Sequence, residues 1–262
     1  MPRGEELLYP SKRERFEDRR KESQQRKLVD TFFDHATLLT VSRLITEGQF
    51  DALDSPISTG KEGGVFRATK GAELRAVKIY RIGNTSYRRL PAYALDDLRR
   101  ETSARNFTGL IMAWTRREHT ILTRLTDAGV RVPRPYAHHR NVLVMEFIGN
   151  AEGAAPRLRD VPIDDPHALY EELVRQIGMM LTKTHLVHGD LSPWNMLYFE
   201  DRPVMIDVGQ AIRSDHPEAR RLLLRDLEHF ARFLTQLGHE VSTEEFFQAV
   251  GGDTLKVPGE SG

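Results

Sequence analysis

Three polar side chains in the C-terminal half have the types and spacing that phosphoryl transfer requires. Residues 188–195 read His-Gly-Asp-Leu-Ser-Pro-Trp-Asn, which places Asp190 and Asn195 in an Asp-x-x-x-x-Asn pattern. Asp207 follows twelve residues after Asn195, at the end of a short apolar run. In such a site one carboxylate orients the nucleophile, while the amide and the second carboxylate hold magnesium ions that bridge phosphates. Each side chain alone is common in turns and caps, so the prediction rests on the three together.

A lysine inside a predicted strand supplies the cation that this chemistry needs. Residues 75–80 read Arg-Ala-Val-Lys-Ile-Tyr, so Lys78 lies between two apolar residues. A buried ammonium group is costly unless a negative group pairs with it. Nucleotide phosphates and Glu118, on a helix predicted over 114–129, are the best candidates for that pairing. The alternative is that Lys78 lies on a solvated strand face.

The turn upstream of this lysine has the composition of a phosphate-covering flap. Residues 58–64 read Ser-Thr-Gly-Lys-Glu-Gly-Gly. Glycines let backbone N–H groups approach phosphates, although they also simply form turns. The pattern is not a Walker A loop, because no Gly-Lys-Ser/Thr ends it. Its strand–turn–strand setting predicts a flap that lies over the phosphates.

The elements that must position these residues change character along the chain. Residues 29–50 predict one or two amphipathic helices, residues 57–80 read as strands and turns, and residues 141–148 as a buried strand. The C-terminal half is mainly helical and contains one hairpin. Helices are predicted over 166–184, 220–237 and 244–250, and the hairpin over 196–206.

Three segments fall outside these elements. Residues 1–28 are dominated by charge and predict a flexible, solvated tail, with a basic arm that orders on RNA as the alternative. Residues 81–110 are arginine-rich without a clean period, which predicts a functional loop or a disordered insertion. Residues 251–262 are predicted to be a flexible tail, so the folded domain is expected over 29–250.

Composition narrows the class of protein. The 262 residues are 39% hydrophobic and 29% charged, with a formal net charge of zero. These values are typical of a soluble globular protein and give no bulk attraction to nucleic acid or membrane. The absence of cysteine excludes disulfides, thiolate metal sites and cysteine nucleophiles, and fits a cytoplasmic location. Neither a transmembrane run nor an apolar signal core is expected.

The candidate residues follow one another in the order of a protein kinase, with departures in three motifs. Ser-Thr-Gly-Lys-Glu replaces the usual glycine loop, His-Gly-Asp replaces His-Arg-Asp, and Asp-Val-Gly-Gln-Ala replaces Asp-Phe-Gly. These segments closely resemble the RIO family of atypical kinases over residues 30–250, and its archaeal Rio1 branch in particular. No winged-helix domain precedes the kinase region, which argues against the Rio2 branch. Gly63 and Gly64 stand where the resemblance leads us to expect Ala-Asn.

The resemblance implies an α+β, bilobal protein-kinase-like fold of the RIO type. The N-lobe, over about 29–145, would be an antiparallel sheet plus the helix that carries Glu118. A hinge at 145–149 would lead to a helical C-lobe over about 150–250. There is no full activation segment, because Asp226 of the next predicted helix follows Asp207 by only about 19 residues.

The resemblance also implies roles for the matching residues. Asp190 would be the catalytic base. Asn195 and Asp207 would bind Mg²⁺, or Mn²⁺ in its place, and Asp207 would also be open to phosphorylation as an aspartyl intermediate. Lys78, paired with Glu118, would hold the phosphates of ATP. The other nucleotide contacts would come from Ser58, Lys61, Val65, Met145, Glu146 and Ile148, with backbone groups of Glu146 and Ile148 at the adenine.

The function so implied is a Rio1-type serine/threonine kinase or ATPase. It would transfer the γ-phosphoryl group of ATP to protein, to itself or to water. It would act as a monomer, without a membrane partner, on the precursor of the small ribosomal subunit and its rRNA. Two alternatives stay open. A small-molecule kinase of the aminoglycoside or choline type shares the His-Gly-Asp and Ile-Asp segments, and a non-catalytic ribosome-assembly module would use ATP only as a latch.

Overall fold

The N-terminal part of the protein is a five-stranded antiparallel sheet. A computed structural model describes residues 33–60, 62–82, 93, 95, 98 and 106–255. The strands are β1 (Ala52–Thr59), β2 (Gly63–Lys70), β3 (Glu73–Tyr80), β4 (Pro135–His139) and β5 (Val142–Glu146), in the spatial order β1-β2-β3-β5-β4. The predicted antiparallel sheet is confirmed, and β4 is a strand that the sequence reasoning did not propose.

Two helices pack against the strands of this sheet. Helix α1 (His35–Thr46) begins after Asp34, whose carboxylate accepts a hydrogen bond from the Thr37 N–H at 2.7 Å. It shares a buried cluster with Val77 and Ile79 of β3. Helix α2 (Phe107–Asp127) packs against Leu143 of β5 in a different cluster. Since side chains alternate along a strand, Lys78 is directed away from the face that carries Val77 and Ile79.

The C-terminal part is helical, as predicted. Its helices are α3 (Pro166–Thr184), α4 (Ala219–Gln236) and α5 (Thr243–Ala249). Short strands join them: β6 (Leu186–Val187) pairs with β9 (Ile212–Arg213), and β7 (Met196–Phe199) pairs with β8 (Arg202–Met205). Helix α3 begins with a hydrogen bond from the Ala168 N–H to the Asp165 carboxylate, and its C-cap His185 is left-handed. One large buried cluster joins these helices and strands.

The predicted loop over 81–110 is wrong where the structure describes it. Helix α2 begins at Phe107 rather than at residue 114, because Asn106 caps it by accepting a hydrogen bond from the Gly109 N–H at 2.8 Å. Tyr93, Leu95 and Leu98 are helical, and Leu98 is buried in a cluster with Trp114. The high arginine content of this segment concealed its apolar positions, such as Leu98, which is buried.

Of the two predicted tails, only the C-terminal one includes residues that the structure describes. Leu255, in the predicted C-terminal tail, is instead buried in the C-terminal core. The predicted N-terminal tail over 1–28 lies outside the described residues. Among the helices that the structure describes, none combines the length and the apolar character needed to cross a bilayer.

Candidate active site

Two adjoining cavities lie between the sheet and the helical part. One, called here the apolar cavity, has a volume of about 370 Å³, and its walls include Val65, Ala76, Leu122, Met145 and Leu197. The other, called here the polar cavity, has a volume of about 480 Å³. Its walls include Ser58, Lys78, Glu118, Asp190, Asn195, Asp207 and Gln210. The cavities share Ser58, Val65, Lys78, Glu118, Arg157 and Asp207, so one elongated ligand can occupy both.

Lys78 joins three elements of the polar cavity. Its ammonium Nζ lies 2.7 Å from Glu118 Oε1 on α2 and 2.7 Å from Asp207 Oδ1, which follows β8. Burial alone would lower the pKa of Lys78, but the charges of Asp207 and Glu118 outweigh it and raise that pKa above its ordinary value. The Lys78 charge in turn lowers the pKa of Asp207. Lys78 and Asp207 are therefore both charged near neutral pH.

Asp190 is held by amide groups. Its Oδ2 accepts hydrogen bonds from Asn195 Nδ2 and Gln210 Nε2, each at 3.3 Å. Asn195 Nδ2 also donates to the Asp190 backbone carbonyl at 2.7 Å. No ion pair to Asp190 occurs among the described residues. Both side-chain hydrogen bonds end on Oδ2, so neither of them occupies Oδ1.

Two groups fix the distance between Asp190 and Asp207. The buried His188 donates from Nε2 to the Ile206 carbonyl at 3.1 Å, and the Ile206 N–H donates to the Asn195 carbonyl at 3.1 Å. Burial lowers the pKa of His188, which keeps its ring neutral. The residue before Asp207 is therefore bound on both sides to the 188–195 loop.

Helix α4 also holds the 188–195 loop, through the side chain of Asp226. The Asp226 carboxylate accepts a hydrogen bond from the Gly189 N–H at 2.9 Å. Burial raises the pKa of Asp226 to about 7, against the lowering effect of the Leu191 and Gly189 N–H groups and of Arg225. Gly189 has φ +78°, and a side chain there would be strained.

Helix α2 is tied to the segment that follows Asp207. A guanidinium nitrogen of Arg117 donates to the Ala211 carbonyl at 2.7 Å. Gly209 lies so close to Trp114 that a Cβ atom would come within 2.9 Å of the indole ring. The glycine of the Asp-Val-Gly-Gln-Ala segment thus permits α2 to lie close to the segment that follows Asp207. This close approach sets the position of Glu118, on α2, relative to Asp207.

The glycine-rich turn forms one wall of the polar cavity. The Gly60 N–H donates to the Gly63 carbonyl at 2.8 Å, and a Cβ atom at Gly63 would lie 2.5 Å from the Ile79 carbonyl oxygen. Glu62 also lines this cavity. Its pKa is raised by burial, and the charges of Asp207 and Asp190 add to that effect against Lys78. Lys61 lies outside the described residues.

The three residues expected at the hinge line the apolar cavity. Met145, Glu146 and Ile148 belong to its wall. The Glu146 N–H donates to the Arg134 carbonyl at 2.8 Å, and the Ile148 carbonyl accepts from the Ala155 N–H at 2.9 Å. These two hydrogen bonds use the Glu146 N–H and the Ile148 carbonyl, and neither involves the Glu146 carbonyl or the Ile148 N–H.

The oxygen donors of the polar cavity suit a magnesium ion shared with phosphates. Asp207 and Asn195 both line it and supply hard oxygen atoms. Among the described residues, no group of three His, Cys, Asp or Glu side chains is placed to hold a metal by itself. Magnesium is commonly held by one or two carboxylates plus substrate phosphates. The residues present therefore fit Mg²⁺ that arrives with a nucleotide.

The structure brings together all the predicted site residues that it describes. Sequence reasoning missed the supporting ones: Tyr93, Arg117, Arg157, His188, Gln210 and Asp226. Gln210 was visible as part of Asp-Val-Gly-Gln-Ala, but nothing in one sequence assigns its amide to Asp190. Tyr93, which donates to the Gly189 carbonyl at 3.1 Å, is separated from that residue by 96 positions.

Comparisons with known proteins show which family the chain resembles. A family model described as the RIO domain matches residues 64–246. The RIO-type serine/threonine-protein kinase Rio1 of Haloferax volcanii is 39% identical over 239 residues, which cover 91% of this chain and 82% of the relative.

Solved structures extend the agreement to the fold. The Rio2 kinase from Chaetomium thermophilum superposes with a TM-score of 0.61 at 26% identity, covering 82% of this chain and 68% of that one. Its complex with ADP/Mg²⁺ and phosphoaspartate gives a TM-score of 0.60 at 25% identity, covering 82% of this chain and 66% of that one. The predicted kinase-like fold and the family resemblance are confirmed, and the chain belongs to the RIO family of serine/threonine-protein kinases.

Proposed function

We propose that the chain acts as a Rio1-type kinase and ATPase that transfers the γ-phosphoryl group of ATP within the two adjoining cavities. One observation carries the proposal. Lys78 bridges Glu118 and Asp207 at 2.7 Å in the cavity that also holds Asp190 and Asn195. The neighbouring apolar cavity has walls suited to a nucleobase.

The adenine would lie between Val65 and Leu197 in the apolar cavity. Its hydrogen-bonding edge would meet the Glu146 carbonyl and the Ile148 N–H, because the other backbone groups of these two residues are engaged in the protein. Ser58 lines both cavities and would lie near the ribose and the first phosphate. This arrangement directs the triphosphate toward Lys78.

The phosphates would be held mainly by charge. The Lys78 ammonium group would bind phosphate oxygens while Glu118 keeps it in place. Asp207 and Asn195 would hold Mg²⁺, which, when bound, would neutralise part of the phosphate charge. There is little covalent chemistry for the protein to perform in such a transfer, so positioning and charge provide most of the catalysis.

Asp190 would act on the attacking group. Its Oδ2 is held by Asn195 and Gln210, so Oδ1 would accept the proton of an acceptor hydroxyl or of water. The new bond forms between that oxygen and the γ-phosphorus, while the bond between the γ-phosphorus and ADP breaks. A single general base of this kind is worth roughly 10²–10⁴-fold in rate.

Asp207 is also proposed as a transient acceptor of the phosphoryl group. The Rio2 complex contains ADP, Mg²⁺ and a phosphoaspartate, and Asp207 follows its strand as an ionised carboxylate with a nearly half-exposed side chain. In this step an Asp207 oxygen forms a bond to the γ-phosphorus and ADP leaves. Water then attacks the same phosphorus, and its proton passes to Asp190. The bond between the Asp207 oxygen and the phosphorus breaks, which releases free phosphate and restores the Asp207 carboxylate.

The proposed cellular partner is the precursor of the small ribosomal subunit and its rRNA. Residues 81–106 join β3, which carries Lys78, to α2, which carries Glu118, and they contain Arg88, Arg89, Arg99 and Arg100, which lie outside the described residues. Cationic side chains in such a position would contact RNA phosphates. Replacing these four arginines with alanine should weaken association with pre-ribosomal RNA and flatten its salt dependence, while ATP binding hardly changes.

A single-turnover assay with γ-labelled ATP and Mg²⁺ tests the chemistry. The full chain should release phosphate and carry an acid-stable label on hydroxyls and an alkali- and hydroxylamine-sensitive label on Asp207. The sensitive label should disappear in Asp207→Asn and should persist longer in Asp190→Asn. Addition of pre-ribosomal particles should raise turnover. Transfer to amino alcohols or aminoglycosides, or the absence of both labelling and hydrolysis, would reject the proposal.

A further inference from the structure

A third cavity lies on the outer side of the loop that carries Asp190. It has a volume of about 450 Å³, and its walls include Arg159, Trp194, His229, Arg232, Phe233 and Gln236. None of these residues lines the two nucleotide cavities. It is called here the Trp194 cavity, and the proposed nucleotide chemistry does not use it.

Trp194 is the most unusual residue of this cavity. Its side chain is 51% exposed, although it lies within the loop between Asp190 and Asn195. The guanidinium carbon of Arg159 lies 3.3 Å from the centre of the indole ring, so the ring stacks on this cation. Arg159 and Trp194 both line the cavity, so this stacking holds the Arg159 side chain at its wall.

The Trp194 cavity is connected to the nucleotide cleft by a short segment. A guanidinium nitrogen of Arg157, which lines both nucleotide cavities, donates to the Trp194 carbonyl at 2.6 Å. Arg159 follows two residues later in a single 3-10 turn over Leu158–Asp160. One short segment therefore contributes Arg157 to the walls of the two nucleotide cavities and Arg159 to the wall of the Trp194 cavity.

The charge of the Trp194 cavity is positive. Among the residues that the structure describes, its walls contain Arg159 and Arg232 but no carboxylate. Arg232 donates to the Glu228 backbone carbonyl at 3.4 Å and has no ion pair among the described residues. Arg159 lies 3.3 Å from Asp160, but both side chains are substantially exposed, and such pairs between exposed groups are weak.

We propose that the Trp194 cavity binds an acidic side chain of the polypeptide acceptor, within a few residues of the hydroxyl that is phosphorylated. This rests on the proposed function, because it requires a protein acceptor. A hydroxyl placed at Asp190 brings its own chain across the same loop, and Arg159 and Arg232 complement a carboxylate there. The formal net charge of zero and the presence of only two arginines favour a local acidic contact over a polyanion such as RNA.

Serine peptides that differ only in their flanking residues test the proposal. Peptides with Glu, Gln or Lys at the four positions on either side of the serine would be compared by kcat/KM. The Glu peptides should exceed the Gln peptides by about tenfold, mainly through KM, as expected for a hydrogen bond to a charged group. Arg232→Gln should bring this ratio close to one, while phosphate release without peptide stays unchanged. Lys183→Gln, which removes one exposed cation on α3, should retain the ratio.

Tryptophan fluorescence separates this proposal from the proposed function. The chain has two tryptophans, and Trp114 is buried, so Trp194 reports on its own cavity. A Glu peptide that lacks serine should change the emission of the wild type but not of Trp194→Phe. Such binding without phosphorylation of any serine peptide would reject only the protein-kinase part of the proposed function. Equal binding of Gln or Lys peptides, or displacement of the Glu peptide by single-stranded RNA at lower concentration, would overturn the acidic-acceptor proposal.

Discussion

Asp207 and Asp190 face the same cavity, yet they are held by opposite kinds of group. Asp207 is bound by the Lys78 ammonium at 2.7 Å, and its pKa is lowered by that charge. Asp190 is bound by the neutral amides of Asn195 and Gln210 at 3.3 Å. The difference shows how one site can keep two carboxylates for two tasks.

The contrast follows from the cost of placing charges near each other. Carboxylates in one cavity repel one another: burial raises the pKa of Glu62, and the charges of Asp207 and Asp190 add to this increase against the lowering effect of Lys78. Lys78 compensates Asp207 and Glu118, so Asp207 can hold a cation or receive a phosphoryl group. Amide donors orient Asp190 without occupying both of its oxygens, so it can accept a proton.

Removal of Lys78 should give the largest effect, because Lys78 is the cation that compensates the charges of Asp207 and Glu118. Lys78→Met leaves the buried Glu118 and the nearly half-exposed Asp207 without their cation, and loss of one partner of a buried pair, here Lys78–Glu118, costs about 3–5 kcal/mol. Urea unfolding should show this loss, and ATP turnover should be abolished. The double variant Lys78→Met/Glu118→Leu should regain stability but not turnover. Normal nucleotide affinity and turnover in Lys78→Met would contradict the assigned site.

Substitution of each aspartate should separate the two roles. Asp190→Asn should keep Mg²⁺-dependent ATP binding while turnover falls by roughly 10²–10⁴-fold, since only the base is lost. Asp207→Asn should weaken that binding as well, because it removes a carboxylate that would hold Mg²⁺. Calorimetric titration of ATP with and without Mg²⁺ measures the difference. Identical binding isotherms for the two variants would remove the distinction between Asp207 and Asp190.

The residues around Lys78 were predicted from the sequence more fully than the residues that hold Asp190. Lys78 and Glu118 were found because a lysine between apolar strand residues needs a partner, and the helix at 114–129 offered one. The residues that position Asp190 were not found as such. Gln210 contacts Asp190, which lies 20 positions away in the sequence, and Tyr93 contacts Gln210, which lies 117 positions away. No local sequence pattern encodes such contacts. Likewise, Asp226 looked like an ordinary polar residue of an amphipathic helix until the fold buried it beneath the 188–195 loop.

Asp226, which supports the loop that carries Asp190, should make the free energy of unfolding depend on pH. Burial raises its pKa in the folded state to about 7, above the unfolded value of about 3.9. The folded state then binds this proton more tightly, so the stability contributed is complete below pH 4 and is lost as pH rises to 7. In that window the free energy of unfolding should fall by up to about 1.4 kcal/mol per pH unit more in the wild type than in Asp226→Asn. Parallel stability curves for the two proteins would contradict the raised pKa.

Loss of the Gln210 amide should give the smallest effect and the sharpest test of how Asp190 is held. One hydrogen bond at 3.3 Å is worth about 1 kcal/mol, so Gln210→Ala should lower kcat about fivefold with little change in KM for ATP. Tyr93→Phe, which removes the hydroxyl that lies 3.5 Å from Gln210 Oε1, should lower kcat less. Gln210→Glu should lower it more than Gln210→Ala, because it places a second carboxylate beside Asp190 and repels it. If all three variants match the wild type, Asn195 alone holds Asp190, and the amide pair is not what distinguishes it from Asp207.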